Sequence, residues 1–143
     1  MELNATCQIR QPILATLGIP MSIDSGHEEV LADVLLRWKT AVDAHQPDDV
    51  AALFTEDAIF QGLHPYAVGP AGVAEYYESQ PLGMVANYEI LETRRPAEDL
   101  ILGYLRVEFT FTDGQPVNVY LSVLLKQVGG DWRLSHYQVS RLA

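Results

Sequence analysis

Four strand-like segments fill the second half of the chain, and they constrain the fold more than any other feature of the sequence. They are rich in Val, Leu, Ile, Tyr, Phe and Thr, and they cover residues 85–95, 100–112, 116–127 and 132–142. Short turn signals such as Asp113-Gly114 separate them. Because strands joined by tight turns pair antiparallel, the sequence predicts a four-stranded antiparallel meander.

Helical patterns precede these strands. A capping-box spacing begins at Ser25, and apolar residues then repeat with a 3.6-residue period, which predicts a long helix over 28–45. Pro47 opens a second, short helix, a strand fragment follows at 58–60, and a third helix is predicted over 71–79. Helices followed by a meander predict an α+β domain, with three helices packed on one face of a curved antiparallel sheet.

Composition and charge limit the partners of this domain. The chain has 143 residues, and 19 acidic against 9 basic side chains give a formal charge of −10, which argues against nucleic acid or an anionic membrane as partner. Its single cysteine, Cys7, excludes an internal disulfide framework. We expect residues 1–24 to form a loosely ordered extension and residues 25–143 to form one domain.

No apolar stretch approaches the roughly 18–20 residues that a membrane-spanning helix needs. The apolar run at residues 13–19 follows Arg10, but it is short, and Pro20 and Met21 stand where a secretory signal would have a small-residue cleavage site. The sequence therefore predicts a cytoplasmic protein.

Alternation along the strands predicts two different faces of the sheet. One face is apolar and carries Ile101, Leu105, Val107, Phe109, Phe111, Val117, Val119, Leu121, Val123 and Leu125. The opposite face is mixed in character. The apolar residues exceed what a monomer normally exposes, so we expect a twofold partner to cover one side of the sheet and form a homodimer.

The order of these segments resembles that of the nuclear-transport-factor-2-like superfamily. The resemblance rests on "DDVAALFTEDAIF", "GPAGVAEYY", "GYLRVEFTFTDG" and "WRLSHYQVS", and it covers about residues 25–142. Within the superfamily the chain is most similar to SnoaL-like and SgcJ/EcaC-like proteins and to the calcium/calmodulin-dependent protein kinase II association domain. The resemblance implies a cystatin-like, cone-shaped α+β fold, which hosts isomerases, dehydratases, cyclases, epoxide hydrolases and noncatalytic modules.

The ketosteroid isomerase pattern is incomplete in this chain. The resemblance places Trp38 where those enzymes have a hydroxyl-donating tyrosine on the first helix. Gly62 stands at the position of their catalytic base, and Ser122 at that of their protonated acid. These three departures argue against proton shuttling of the ketosteroid isomerase type.

Two other families share part of a site with this chain. Arg106 and Glu108 reproduce the arginine and acid, two residues apart on a strand, of limonene-epoxide-hydrolase relatives, while Tyr137 stands where their second acid would lie. Arg106 also matches a pocket arginine of the kinase association domains. Ser122 and Val139 of this chain stand where those domains have other pocket arginines.

The best catalytic candidates are therefore Arg106 and Glu108. They project from one strand face, where a guanidinium and a carboxylate could orient water, donate a proton or clamp an acid; the alternative is a structural ion pair. The rings of Tyr104, Tyr120 and Tyr137 are predicted to share that face and to form a pocket wall, or else to be half-buried core residues.

Two further residues are candidates for substrate contact. Trp38 lies at the centre of the first helix, either in the core or beside the pocket. His64 lies in a Gly/Pro loop that borders the pocket entrance in this fold, and a histidine there could act as an acid or a base, although a solvated loop histidine is the simpler interpretation. No His, Cys, Asp and Glu residues have metal-ligand spacing, and no phosphate or dinucleotide motif is present, so we expect no metal and no cofactor.

Two functions remain open from the sequence. The first is a small-molecule pocket enzyme of specialised metabolism that performs cofactor-free acid–base chemistry, such as isomerisation, cyclisation, hydration or dehydration. The second is a noncatalytic module that binds a small acid or serves as an oligomeric scaffold. An apolar pocket with Arg106 at its polar end favours the first, and a pocket filled by Trp38 and the tyrosines favours the second.

Overall fold

The computed structural model describes residues 22–142, and the side chains from Gly26 onward. The extension predicted for residues 1–24, Cys7 and the apolar run at residues 13–19 lie wholly or mostly outside this range. Contacts divide the chain inside the first helix, between Ala32 and Asp33, and the fold and the site below belong to the second unit.

Three helices and six strands are found within the described residues. Their order is α1 (Ser22–Asp43), α2 (Pro47–Ala51), β1 (Phe54–Gln61), β2 (Ala67–Val68), α3 (Gly69–Glu78), β3 (Val85–Ala97), β4 (Leu100–Thr110), β5 (Val117–Val128) and β6 (Asp131–Arg141). No helix in this part of the chain has the length and apolarity needed to cross a membrane.

The strands form one curved, unclosed sheet in the order β2-β1-β6-β5-β4-β3. Strands β3 to β6 form the antiparallel meander predicted from the sequence. The sheet as a whole is mixed, because β1 runs parallel to β6, with Phe60 opposite Tyr137. A tight turn fixes the direction of each meander strand. The chain between β1 and β6 contains all the other strands, so no turn fixes the direction of β1.

Burial alternates along the central strands and distinguishes two faces of the sheet. The inner face carries side chains such as Leu105, Val107 and Leu121, which are buried beneath the helices; the outer face carries Arg106 and Glu108, which are exposed. The apolar residues of β4 and β5 are thus largely buried within one chain. Their supposed exposure was the argument for a homodimer, and that argument is wrong; the homodimer itself stays a prediction.

Helix α1 begins earlier than the sequence predicts and is tied to the sheet at its C-terminal end. It starts at Ser22, so Ser25 lies inside the helix and is not its N-cap. Near its end, the Lys39 Nζ donates to Asp43 Oδ2 at 2.8 Å and to the Ala86 carbonyl oxygen at 2.7 Å. Asp43 Oδ1 accepts from the Ala86 amide at 2.9 Å. One ion pair thus satisfies both backbone groups of a β3 residue.

Candidate functional site

The structure places the predicted catalytic pair on the outer face of the sheet. Arg106 lies opposite Tyr120 and Glu108 lies opposite Asn118 on β5, and both charged side chains are exposed. No ion pair joins Arg106 and Glu108 or links either to another described residue. Beside them the rings of Tyr104 and Tyr120 stack with centroids 5.5 Å apart and planes 21° apart. These residues face away from the helices, so they form no enclosed polar end of a pocket.

Tyr137 lies on the inner face, and the prediction that it shares a face with Tyr104 and Tyr120 is wrong. It is 2% exposed and pairs with Val123, an inner-face residue of β5. A register shift between Leu124 and Leu125 inserts an extra residue on β6, which reverses the alternation of that strand. Alternation within one strand is readable from sequence, whereas the pairing register between strands is not.

A small cavity lies between α3 and the inner face of the sheet. Its volume is about 40 Å³, which is room for only a few water molecules. Its walls are Leu63, Tyr76, Tyr77, Gln80, Met84, Phe109, Phe111, Val117, Tyr137 and Val139. We call this cavity the pocket. Among the described residues, no acidic, basic or histidine side chain lines it, and the polar side-chain groups of this lining are hydroxyls and one amide.

Three buried polar groups form a chain beside the pocket. The Trp38 indole N–H donates to the Tyr77 hydroxyl at 3.2 Å, and the Tyr77 and Tyr137 hydroxyls share a hydrogen bond of 3.1 Å. Three donor hydrogens therefore serve two hydrogen bonds. Whichever way the hydroxyls are oriented, one hydroxyl hydrogen of the Tyr77–Tyr137 pair has no acceptor among the described residues. The pair can donate that hydrogen to a molecule in the pocket.

Burial keeps both hydroxyls neutral. Desolvation raises the pKa of Tyr77 far above the usual tyrosine value, and the hydrogen bonds from Tyr137 and Trp38 oppose the rise only in part. Desolvation likewise raises the pKa of Tyr137 well above its usual value, and the proximity of Tyr77 adds to the rise. Both groups are hydrogen-bond donors at neutral pH and neither is a base.

The other candidates lie around the pocket and do not line it. Trp38 is fully buried; it donates to the Tyr77 hydroxyl and packs against Phe109 and Tyr137, which line the pocket. His64 is exposed and lines a separate open groove of about 300 Å³, whose other walls include Glu75 and Tyr76. Gly62, which the resemblance aligned with the isomerase base, is buried against the ring of Tyr76.

Sequence reasoning missed Tyr76 and Tyr77 as site residues, although both stand in the quoted "GPAGVAEYY" motif. Tyr77 follows the buried Val73 by four residues on α3, and this spacing identifies the inward face of the helix. Among residues 22–142, no three His, Cys, Asp or Glu side chains are grouped closely enough to hold a metal ion. The site therefore offers hydrogen-bond donation in an apolar cavity.

The amino-acid sequence also assigns this chain to a known protein family. Residues 27–137 match the sequence profile of the SnoaL-like domain, so the protein belongs to the SnoaL-like family, whose fold is of the nuclear-transport-factor-2-like kind. A comparison with curated proteins finds no match.

Solved structures with the same fold differ in assigned function. A ketosteroid isomerase-like protein from Erwinia carotovora atroseptica SCRI1043 is 26% identical, with a TM-score of 0.71 over 80% of this chain and 95% of that one. A Xanthomonas campestris protein, provisionally assigned as a calcium/calmodulin dependent protein kinase II association domain, is 16% identical, with a TM-score of 0.71 over 78% and 85%. A provisionally assigned scytalone dehydratase from Novosphingobium aromaticivorans DSM 12444 is 15% identical, with a TM-score of 0.69 over 86% and 89%.

Proposed function

We propose that the protein binds a small, uncharged, largely apolar molecule through one acceptor oxygen, such as that of a ketone or a phenol. The observation that carries the proposal is the hydroxyl hydrogen of the Tyr77–Tyr137 pair that finds no acceptor in residues 22–142. Water competes weakly for this donor, because a water molecule in an apolar cavity would need several polar partners. An anionic ligand is disfavoured because none of the described residues that line the pocket is a cation.

Isomerase or dehydratase chemistry is a second candidate function. A neutral hydroxyl donor aimed at a carbonyl oxygen stabilises the enolate that forms when a neighbouring proton leaves. The similarity to the ketosteroid isomerase-like protein supports this candidate. The lining residues include no carboxylate or imidazole, so the substrate or the solvent would have to supply the base. For that reason ligand binding is the function that we put first.

The proposal is tested by comparing phenol with benzene, because the two differ in the oxygen alone. Each tyrosine of the pair can donate when the other is removed, so the decisive variant is Tyr77→Phe/Tyr137→Phe. We expect the preference of the wild-type protein for phenol over benzene, measured as a ratio of Kd values by calorimetry, to fall about 2- to 12-fold, the equivalent of one net hydrogen bond.

Tyr104→Phe is the matched control, because it removes a hydroxyl from the outer face and should keep the preference. An unchanged phenol-to-benzene ratio in the double variant would show that the hydroxyl pair does not bind the ligand oxygen.

We also propose that the protein is a homodimer that pairs through the outer face of its sheet. The stacked rings of Tyr104 and Tyr120 and the 46% exposed Ile59 leave aromatic and apolar surface on this face. Arg106 and Glu108 stand two residues apart on the same strand, so a twofold axis between them would bring each beside the opposite charge of the second copy. The similarity to an association domain supports this assembly.

A further inference from the structure

The pocket alone is smaller than a typical small-molecule site, so a ligand of more than one ring would have to extend beyond it. Small-molecule sites have volumes of roughly 300–1,000 Å³, whereas the pocket has about 40 Å³. The open groove beside His64 has about 300 Å³. The hydroxyl donors therefore lie in the pocket, whereas most of the space lies in the groove. A ligand that occupies both needs a passage between them.

Tyr76 is the residue that separates the two spaces. Its side chain lines both the pocket and the groove. The ring is half-buried and meets Phe60 at 4.9 Å, Tyr77 at 5.1 Å and His64 at 5.5 Å between centroids, each time edge-on. Phe60 and Tyr77 are buried and His64 is exposed, so the side of the ring that faces the groove is the less constrained one. Tyr76 lies near the C-terminal end of α3, where two χ1 rotamers are open to an aromatic side chain.

Gly62 makes the present position of Tyr76 possible. A Cβ atom at position 62 would lie 2.6 Å from Cζ and 2.7 Å from the hydroxyl oxygen of Tyr76. The tip of the Tyr76 ring thus occupies the space that any other residue at position 62 would fill. A substitution at this glycine would push the ring away from the boundary between pocket and groove.

We infer that Tyr76 is a movable partition: when a ligand binds, its ring turns away and joins the pocket to the groove, so that the site takes an elongated, uncharged two-ring molecule. This inference rests on the proposed function. The ring that carries the acceptor oxygen lies against the Tyr77–Tyr137 pair, and the second ring lies in the groove beside Phe60 and Tyr66. Glu75 lines the groove and excludes an anionic substituent on the second ring.

The test uses 4-phenylphenol as the two-ring probe and phenol as the one-ring probe. Tyr76→Ala removes the partition and should raise the affinity for 4-phenylphenol relative to phenol about tenfold. In the wild-type protein only the fraction of molecules with Tyr76 turned away can bind the second ring, whereas every molecule of the variant can. Gly62→Ala, which leaves the tyrosine in place but displaces it, should raise the same ratio by a smaller factor. Tyr104→Ala, an equal loss of ring on the outer face, should leave the ratio unchanged. A crystal structure of wild-type protein with 4-phenylphenol should show Tyr76 in a changed χ1 rotamer.

Failure of this inference is distinguishable from failure of the proposed function. An unchanged 4-phenylphenol-to-phenol ratio in both Tyr76→Ala and Gly62→Ala, or 4-phenylphenol bound with Tyr76 unmoved, would overturn the partition. If phenol shows no preference over benzene, biphenyl and benzene replace the phenols, because their ratio reports the space at Tyr76 without any hydrogen bond. Equal binding of 4-phenylphenol and 4′-hydroxybiphenyl-4-carboxylate would contradict the assigned charge of the ligand.

Discussion

The Tyr77 and Tyr137 hydroxyls are the groups that we propose bind a ligand oxygen without help from a charged side chain. Each is held in a buried position by aromatic neighbours: the ring of Tyr137 stacks on Phe60 at 4.5 Å and lies 6.1 Å from Trp38. Desolvation penalises the phenolate, so both hydroxyls stay neutral to a higher pH than an ordinary tyrosine does. A donor that never ionises at neutral pH gives binding that is independent of pH over the physiological range.

The raised pKa values of these two tyrosines predict a loss of stability in alkali. The unfolded tyrosines ionise near pH 10 while the folded ones stay protonated, so the unfolded state binds fewer protons above that pH. The free energy of unfolding should then fall with rising pH by about 1.4 kcal/mol per pH unit for each tyrosine. Urea unfolding between pH 8 and pH 11.5 measures this slope.

Two variants assign the alkaline slope to the buried pair. Tyr77→Phe/Tyr137→Phe should reduce the slope and leave a smaller one from Tyr76 and Tyr88, whose pKa values burial also raises. Tyr66→Phe, whose side chain is 65% exposed, is the matched control that should keep the full slope. An equal slope in the double variant would mean that other groups cause the alkaline loss.

At the scale of elements, one half-buried ion pair ties the C-terminal end of α1 to β3. Lys39 and Asp43 bind each other and both backbone groups of Ala86, whereas the exposed pair Asp33–Arg37, with the same four-residue spacing, touches no other element among its hydrogen bonds. The two pairs share one chemistry and differ in their contact with β3.

We therefore expect Asp43→Ala to lower the free energy of unfolding by about 1–3 kcal/mol, because the Ala86 amide loses its acceptor. Asp33→Ala, the matched control, should cost about 0–1 kcal/mol, as exposed ion pairs do. Chemical denaturation measures both. Equal losses in the two variants would show that α1 is not tied to β3 through Asp43.

Elements whose signals are local were predictable from the sequence, and elements that depend on pairing were not. The turn after Val128 and the alternation along β4 predict the meander correctly, and Pro47 correctly predicts the start of α2. The parallel pairing of β1 with β6 and the register shift beside Leu125 depend on contacts between distant segments. No local propensity encodes such contacts, so Tyr137 was assigned to the wrong face.

At the scale of the whole molecule, the two faces of one sheet differ in burial and carry different proposed sites. The inner face carries the pocket, and the outer face carries the aromatic and charged surface that we propose for pairing of two copies. A twofold interface predicts reciprocal charge contacts, in which Arg106 of each copy meets Glu108 of the other. Arg106→Glu should convert a dimer into a monomer, and Arg106→Glu/Glu108→Arg should restore it. Light scattering at micromolar concentration measures this, and a monomeric wild-type protein would contradict the dimer.

The same two faces explain how far the site could be predicted. The sequence identified the fold, through its resemblance to a known superfamily, and it marked Trp38 and Tyr137 as residues near a pocket. It favoured Arg106 and Glu108 because they share a strand face and match an arginine and an acid of hydrolase relatives. The apolar residues that alternate with them decide which face the helices cover. Burial of Leu105 and Val107 leaves the charged pair on the outer face.

A crystal structure of the protein soaked with 4-bromophenol would locate the site directly, because bromine can be found by its anomalous scattering. We expect the bromine in or at the mouth of the pocket, with the phenol oxygen about 2.5–3.0 Å from the Tyr77 or Tyr137 hydroxyl oxygen. Bromine on the outer face beside Arg106, with none in the pocket, would contradict the assignment of the site to the tyrosine pair.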